Sequence, residues 1–281
     1  MNDLNLKKKN LESGLLQLDS LAVAFSGGVD STYLLAVAAK IFQDKDKNDK
    51  FVAITAASPV HPPKDVLLAE SFTKENHIHH KIIHSGEMDS PTFTVNSPDR
   101  CYVCKKVIFG QISKVAADLE IVNVAHGANL DDQGDYRPGM KAAKEMNILS
   151  PLLDAGLTKN DIRQLSKEMG LSTWDKPSSG CLATRIPYGE PINLKKLKMI
   201  EKAEIILSDM DFKTCRVRYY NELAKIEVPS DDIDKLLNLS VRSHIIDELK
   251  KIGFLHISID MEGYQSGRLN RSVVANVGTL K

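Results

Sequence analysis

The 281 residues carry thirty-seven basic and thirty-seven acidic side chains, so no net field draws the chain to a polyanion, and a nucleic-acid-binding role is disfavoured. Hydrophobic content of 42% and charged content of 26% suit a globular core in one large domain or two modest ones. The Lys-rich start has no apolar signal core and no run approaches membrane-span length, which leads to the expectation of a cytoplasmic protein whose four cysteines stay reduced.

Leu21-Ala22-Val23-Ala24-Phe25 is an apolar run of strand length, and residues 32–41 are Ala- and Leu-rich enough for a buried helix. A charged stretch over 44–50 reads as a solvated loop, and Phe51–Ala57 as the second strand. Pro59, Pro62 and Pro63 punctuate the turn into a helix reaching about Asn76. His80–His84 is a third strand, and a helix after Cys101 sets Val107, Ile108, Ile112, Val115 and Leu119 on one face. Residues 121–125 form a fourth strand ending at His126-Gly127-Ala128-Asn129. Thr158 with Asp161 makes a capping box, and Gly170 marks the stop of the helix between them. Alternating strands and helices predict a parallel, doubly wound α/β sheet, with ligands at the carboxyl ends of its strands. From Asn193 the pattern changes. A Lys/Glu/Ile helix over 194–210, strands at 216–220 and 223–228, helices over 232–239 and 240–252 and a last strand at 255–259 describe a small α+β domain. The expected division is 1–192 for nucleotide and 193–281 for substrate or oligomerisation.

Ser26-Gly27-Gly28-Val29-Asp30-Ser31 joins the first strand to the first helix. Such a turn offers unpaired N–H groups and the positive end of a helix dipole to a bound phosphate. Its glycines allow close approach, and Ser26 and Ser31 add hydroxyl donors. Asp30 cannot hold an anion directly and is suited to Mg²⁺. No Lys follows the glycines as in GxxxxGK[ST], and the spacing is not GxGxxG. A bare Gly turn with a Ser/Asp cap would explain the glycines but not the apolar strand and helix on either side. The motif resembles the PP-loop of the ATP pyrophosphatase superfamily, whose members split ATP between the α and β phosphates.

Asp99-Arg100-Cys101-Tyr102-Val103-Cys104-Lys105 places a CxxC at the head of a helix, where the dipole and basic neighbours favour thiolates. Cys181 stands in a small, polar, Gly-containing loop, while Cys215 reads as a buried small hydrophobe. Three thiols admit a zinc site short of a fourth ligand, a redox pair at Cys101/Cys104, a [4Fe–4S] cluster with one open iron, or no metal at all.

The segments SGGVDS, RCYVCK, Asn129 to Gly139, Ser150-Pro151-Leu152, Gly156-Leu157-Thr158-Lys159, Trp174-Asp175-Lys176-Pro177, Cys181 to Gly189 and Gly263 to Asn270 follow in that order. Together they resemble the LarE family of ATP-dependent sulfur transferases, which make the nickel-pincer nucleotide. The chain departs from that family's pattern at Ser179-Gly180, where Ala-rich residues are usual, and at Thr184 in place of Ser. The resemblance implies adenylation of a carboxylate of pyridinium-3,5-biscarboxylic acid mononucleotide, release of pyrophosphate and delivery of sulfur to give a thiocarboxylate. It implies ATP and Mg²⁺ held by Ser26, Gly27, Gly28, Asp30, Ser31, Gly127 and Asn129, with Asp131 or Asp132 as a second acid. In some members the cysteine matching Cys181 donates its own sulfur and becomes dehydroalanine, while others hold a [4Fe–4S] cluster on three cysteines with an extra sulfide as donor; with Cys101, Cys104 and Cys181 this chain resembles the cluster type. Arg216, Arg218 and Arg268 would bind substrate phosphate or carboxylate, and Trp174 would stack on a ring. Two arginines paired to carboxylates such as Glu227 is the plainer reading of that strand, and core packing of Trp174. Glu204 and Glu227 match acidic positions tied to a divalent metal or substrate. The resemblance also implies a homo-oligomer, a hexamer in relatives, and a nickel-inserting protein downstream. A tRNA-thiolating PP-loop enzyme and a non-catalytic iron–sulfur or zinc carrier are the alternatives, and an amidating synthetase would not need the thiols.

Overall fold

The computed structural model describes residues 3–134, 138–177 and 180–265, with Arg268 and Arg271. They divide into two compact units that interleave along the chain: one holds residues up to Ser58, Pro63–Ser90 and Asp99–Ser179, the other Pro59–Pro62, Pro91–Pro98 and the chain from Gly180. The second unit therefore begins before the change of pattern at Asn193 and takes in two earlier segments.

In the first unit, β1 (Leu21–Ala24), β2 (Phe51–Ala57), β3 (His80–His84) and β4 (Val124–His126) form one parallel sheet in the order β3-β2-β1-β4. Every residue of β4, the first three of β1 and the first five of β2 are buried, as expected of strands covered on both faces. The helices are α1 (Asp3–Leu16), α2 (Val29–Asp44), α3 (Pro63–Glu75), α5 (Arg100–Asp118), α6 (Pro138–Glu145), α7 (Pro151–Asp154) and α8 (Lys159–Glu168), while α4 (Pro91–Thr94) belongs to the second unit. One core joins α1, α2, α7 and α8 to one face of the sheet, with Leu11, Tyr33, Phe42 and Leu165 buried in it. The other joins α5 and α6 to the opposite face through Ile108, Phe109, Ile112 and Ala143. The chain runs outward from β1 to β3 and then returns to place β4 on β1's other side. That reversal puts the switch point of the sheet between the ends of β1 and β4, where such sheets bind ligands.

The doubly wound α/β fold is as expected, with one shifted element. The fourth strand begins at Val124 rather than Ile121, because residues 120 and 121 close α5. Glu120 takes a left-handed φ of 57°, its N–H donates to the Ala117 carbonyl, and Ile121 donates to Ala116 at 2.8 Å. This is a Schellman ending, and it draws Ile121 into the helix cap. At α8, Thr158 and Asp161 form the reciprocal capping box, and Gly170 follows with φ 71°.

The second unit has a small sheet in the order β5-β6-β7. β5 (Arg216–Tyr220) and β6 (Leu223–Glu227) form a hairpin whose two turn residues, Asn221 and Glu222, both have positive φ, the twist that suits a two-residue loop. β7 (His256–Ile259) runs parallel to β6 after α10 (Ile233–Leu237) and α11 (Leu239–Ile252). Before the hairpin, α9 (Leu194–Asp209) buries Leu197, Ile200, Ala203 and Leu207 and is capped by Asn193.

Candidate active site

The Ser26–Ser31 turn leaves the carboxyl end of β1 and enters α2 through an extended Gly28 at its N-cap. Ser26 and Ser31 bring their hydroxyls to 3.0 Å, and Ser31 Oγ donates to the Gly28 carbonyl at 3.2 Å. Gly27 has φ 67°, and a Cβ there would stand 3.0 Å from the Asp65 carbonyl oxygen. At Gly127 a Cβ would lie 2.8 Å from the Ser31 nitrogen and 3.0 Å from its Cα. Thus only glycine lets the loop after β4 lie against the start of α2. From β2, Thr55 donates its hydroxyl to the Phe25 carbonyl at 2.8 Å. With that proton used, His80 Nε2 must donate to Thr55 Oγ1 at 2.8 Å. Desolvation lowers the His80 pKa, consistent with a neutral Nε2–H ring.

Asp30 points into a polar network shared with the end of β4. Asn129 Nδ2 donates to Asp30 Oδ1 at 3.3 Å, and Lys159 Nζ, from the first turn of α8, bonds the other carboxylate oxygen. Asp131 accepts the Lys159 backbone N–H at 2.8 Å, and Asp132 accepts the Asn129 N–H at 2.9 Å. On the other side of the turn, Lys176 Nζ donates to the Gly27 carbonyl at 3.0 Å and pairs with Asp65 at 2.9 Å. Two ammonium groups therefore flank a glycine turn at a helix N-terminus, a setting that favours a polyphosphate. The structure brings Ser26, Gly27, Gly28, Asp30, Ser31, Gly127, Asn129 and Asp131 into one place. Lys159 and Lys176, to which the sequence reading gave no role, join them from 129 and 149 residues away.

Cys101 and Cys104 lie one helical turn apart at the start of α5, both half-buried, and Cys104 packs on the Ile108–Ile112 core. Cys181 caps a short 3₁₀ turn over Leu182–Arg185, and its carbonyl accepts from Thr184 Oγ1 at 2.7 Å and Arg185 Nη1 at 3.0 Å. Cys215 is buried, and burial pushes its thiol up to about 12, so it is an inert packing group. Among the described residues no three His, Cys, Asp or Glu side chains are grouped so as to hold a metal ion. Asp30, a lone carboxylate on the turn, fits Mg²⁺, which keeps most of its waters and takes one or two carboxylates beside phosphate.

In the second unit the charged candidates are engaged by neighbouring groups, and Arg218 and Glu227 by one another. Arg218 gives both Nε and Nη2 to Glu227 at 3.0 and 2.8 Å and Nη1 to the Thr184 carbonyl at 2.6 Å. Glu227 is also 3.5 Å from Lys225. Glu204 takes a bidentate pair from Arg185 at 2.8 and 3.0 Å and accepts the Val217 N–H at 3.0 Å. Burial opposes the Arg185 charge, but Glu204 outweighs it and the pKa is raised. Arg216 donates to the Cys215 carbonyl at 2.6 Å and lies over the Tyr264 ring; its pKa is lowered by burial and by the Arg185 charge. Arg268 pairs with Asp260 at 2.9 Å and with Glu262. In the first unit, Trp174 is 37% exposed with Lys167 Nζ 4.7 Å from its ring centre. Residues 135–137, 178–179, 266–267 and 269–270 of the quoted motifs lie outside the described residues.

No protein-family model matches the chain. A Lactiplantibacillus plantarum protein, pyridinium-3,5-bisthiocarboxylic acid mononucleotide synthase, is 32% identical over 270 residues, covering 96% of each chain. The chain belongs to the LarE family. An uncharacterised Synechocystis protein is 38% identical over 95% of this LarE-family chain and 98% of its own, and one from Methanocaldococcus jannaschii 31% over 93% and 97%. An NH3-dependent NAD synthetase from Campylobacter jejuni superposes with TM-score 0.49 at 14% identity over 90% of this chain and 96% of that one; nothing about ligands or chemistry follows from that likeness. The expected LarE resemblance and the expectation of an enzyme are met.

Proposed function

We propose that this LarE-family enzyme is an ATP-dependent sulfur transferase that activates a carboxylate of a pyridinium mononucleotide and converts it to a thiocarboxylate. The observation that carries the reading is the Ser26–Ser31 turn, flanked by Lys159 and Lys176, in a chain 32% identical to a bisthiocarboxylic acid mononucleotide synthase. The substrate carboxylate oxygen attacks the α-phosphorus, the α–β bridging bond breaks, and pyrophosphate leaves as acyl adenylate forms. The glycine turn, Ser26, Ser31 and the two lysines hold the departing pyrophosphate; Asp30 would hold Mg²⁺, which would supply charge neutralisation there. The Cys181 thiolate then attacks the acyl carbon and expels AMP, giving a thioester. Removal of the Cys181 Cα proton breaks the Cβ–S bond, which releases the thiocarboxylate and leaves dehydroalanine. In the family's other type three cysteines, here Cys101, Cys104 and Cys181, would hold a [4Fe–4S] cluster that would supply the sulfur as an extra sulfide.

The family supports a cytoplasmic setting, a homo-oligomer and a nickel-inserting protein as the next user of the product. Arg216, Arg218, Arg268 and Trp174 are the proposed substrate contacts. Of these Arg218 is the most tightly held by another group, since Glu227 and Thr184 already take its guanidinium. The test measures pyrophosphate release and thiocarboxylate together. Cys181→Ala should keep carboxylate-dependent pyrophosphate release and lose thiocarboxylate entirely. Intact mass after one wild-type turnover should show loss of H₂S from the chain. An unchanged mass with product formed would remove Cys181 as sulfur source, and release stimulated by tRNA instead of the carboxylate would favour the RNA enzyme.

A further inference from the structure

One face of α8 carries Lys159, Arg163 and Lys167, one cation per turn at i, i+4 and i+8. Like charges so spaced repel, yet each has its own partner. Lys159 reaches Asp30. Arg163 opens its fork on the turn that follows the helix, giving Nη1 to the Trp174 carbonyl at 2.7 Å and Nη2 to the Lys176 carbonyl at 2.8 Å. Lys167 lies over the Trp174 ring. The turn also bonds itself, Trp174 N–H to Leu171 and Lys176 N–H to Thr173. The residue it carries forward, Lys176, ends between Asp65 and the Gly27 carbonyl with its side chain 20% exposed.

We propose that Arg163 is a positioning residue for phosphate binding at the glycine turn: its guanidinium fixes the backbone of Trp174 and Lys176 so that the Lys176 ammonium stands beside Gly27, ready to leave Asp65 for an arriving polyphosphate. The proposal rests on the reading that this turn binds the phosphates of ATP. Two charge-assisted bonds to carbonyls two residues apart fix both the position and the direction of the turn, which a single point charge cannot do. Through the stripe, α8 places one lysine on each side of the phosphate position: Lys159 from its own first turn and Lys176 through the loop it holds.

Trp174 is the sole tryptophan and lies in the turn at issue, so its fluorescence reports the event directly. The full-length protein is titrated with inorganic pyrophosphate and Mg²⁺, with calorimetry in parallel, for wild type, Arg163→Leu, Arg163→Lys, Lys176→Ala and the Arg163→Leu/Lys176→Ala double variant. Wild type should bind with a saturable Trp174 signal. Arg163→Leu and Lys176→Ala should each weaken pyrophosphate by about tenfold. Arg163→Lys should recover part of the Arg163→Leu loss. The double variant should be no weaker than Lys176→Ala alone, since Arg163 acts only through that ammonium. A double variant weaker by about a hundredfold, the additive result, would overturn the positioning role. So would full affinity in Arg163→Leu or Arg163→Lys; the lysine variant keeps the charge and answers the question if the leucine variant does not fold. Wild-type protein that binds neither pyrophosphate nor ATP would sink the phosphate-site reading itself, a failure distinct from intact wild-type binding that the variants leave unchanged.

Discussion

His126 ends β4 with its ring edge-on to Phe109 at 5.4 Å and Nε2 2.9 Å from Ser150 Oγ. Burial, with the Lys105 charge second, lowers its pKa from 6.5 to about 3. The unfolded histidine takes up a proton below 6.5 and the folded one does not, so this group's stability is whole above that pH and is lost as pH falls toward 3. Between pH 7 and 5 the loss is about 2 kcal/mol. His126→Gln should flatten that part of the acid slope in urea unfolding; equal slopes in variant and wild type would refute the assignment. Single residues were unevenly legible in the sequence. The SGGVDS glycines declared themselves, because the strand and helix around them left few other uses. Lys159 and Lys176 sat in quoted motifs without a role, since nothing local announces which side chains a parallel sheet will bring to one edge. Arg216 and Arg218 share a strand face by alternation, and the hairpin sets Glu227 diagonal to Arg218, where the two pair.

The elements were legible where their boundaries were chemical. The capping box fixed the start of α8, and β2 was bounded by the charged stretch before it and Pro59 after it. β4 was misjudged by three residues because an apolar run cannot show that its first member will close the preceding helix. The most demanding junction is the one between β4's following loop and α2, where Gly127 lies against Ser31. Both contacts are backbone atoms, so an added methyl must move the loop or the helix start. Gly127→Ala should lower stability by about 1–3 kcal/mol and weaken ATP binding, read by thermal melting and calorimetry. A variant with wild-type melting and affinity would show that the two segments yield freely.

The second unit is assembled from three stretches of chain, and its early segments bond to its late one. Asn96 donates to the carbonyls of Ile186, Pro187 and Glu190, and Leu182 donates its N–H to Val60. Leu182, Ile186 and Ile192 are buried, although all precede the change in sequence pattern at Asn193. A chain stopped at residue 192 should therefore expose them, giving stronger binding of a hydrophobic dye than the full chain. Equal dye binding would show that residues 1–192 close on their own.

The Asn96 anchor also sets an order of events during synthesis. Its carbonyl partners begin 90 residues later, so at about 5–20 residues per second the ribosome delivers them some ~5–18 s after Asn96 itself. For that interval the asparagine must wait with its amide hydrogen-bonded to water, and slowing translation between the two would lengthen the wait.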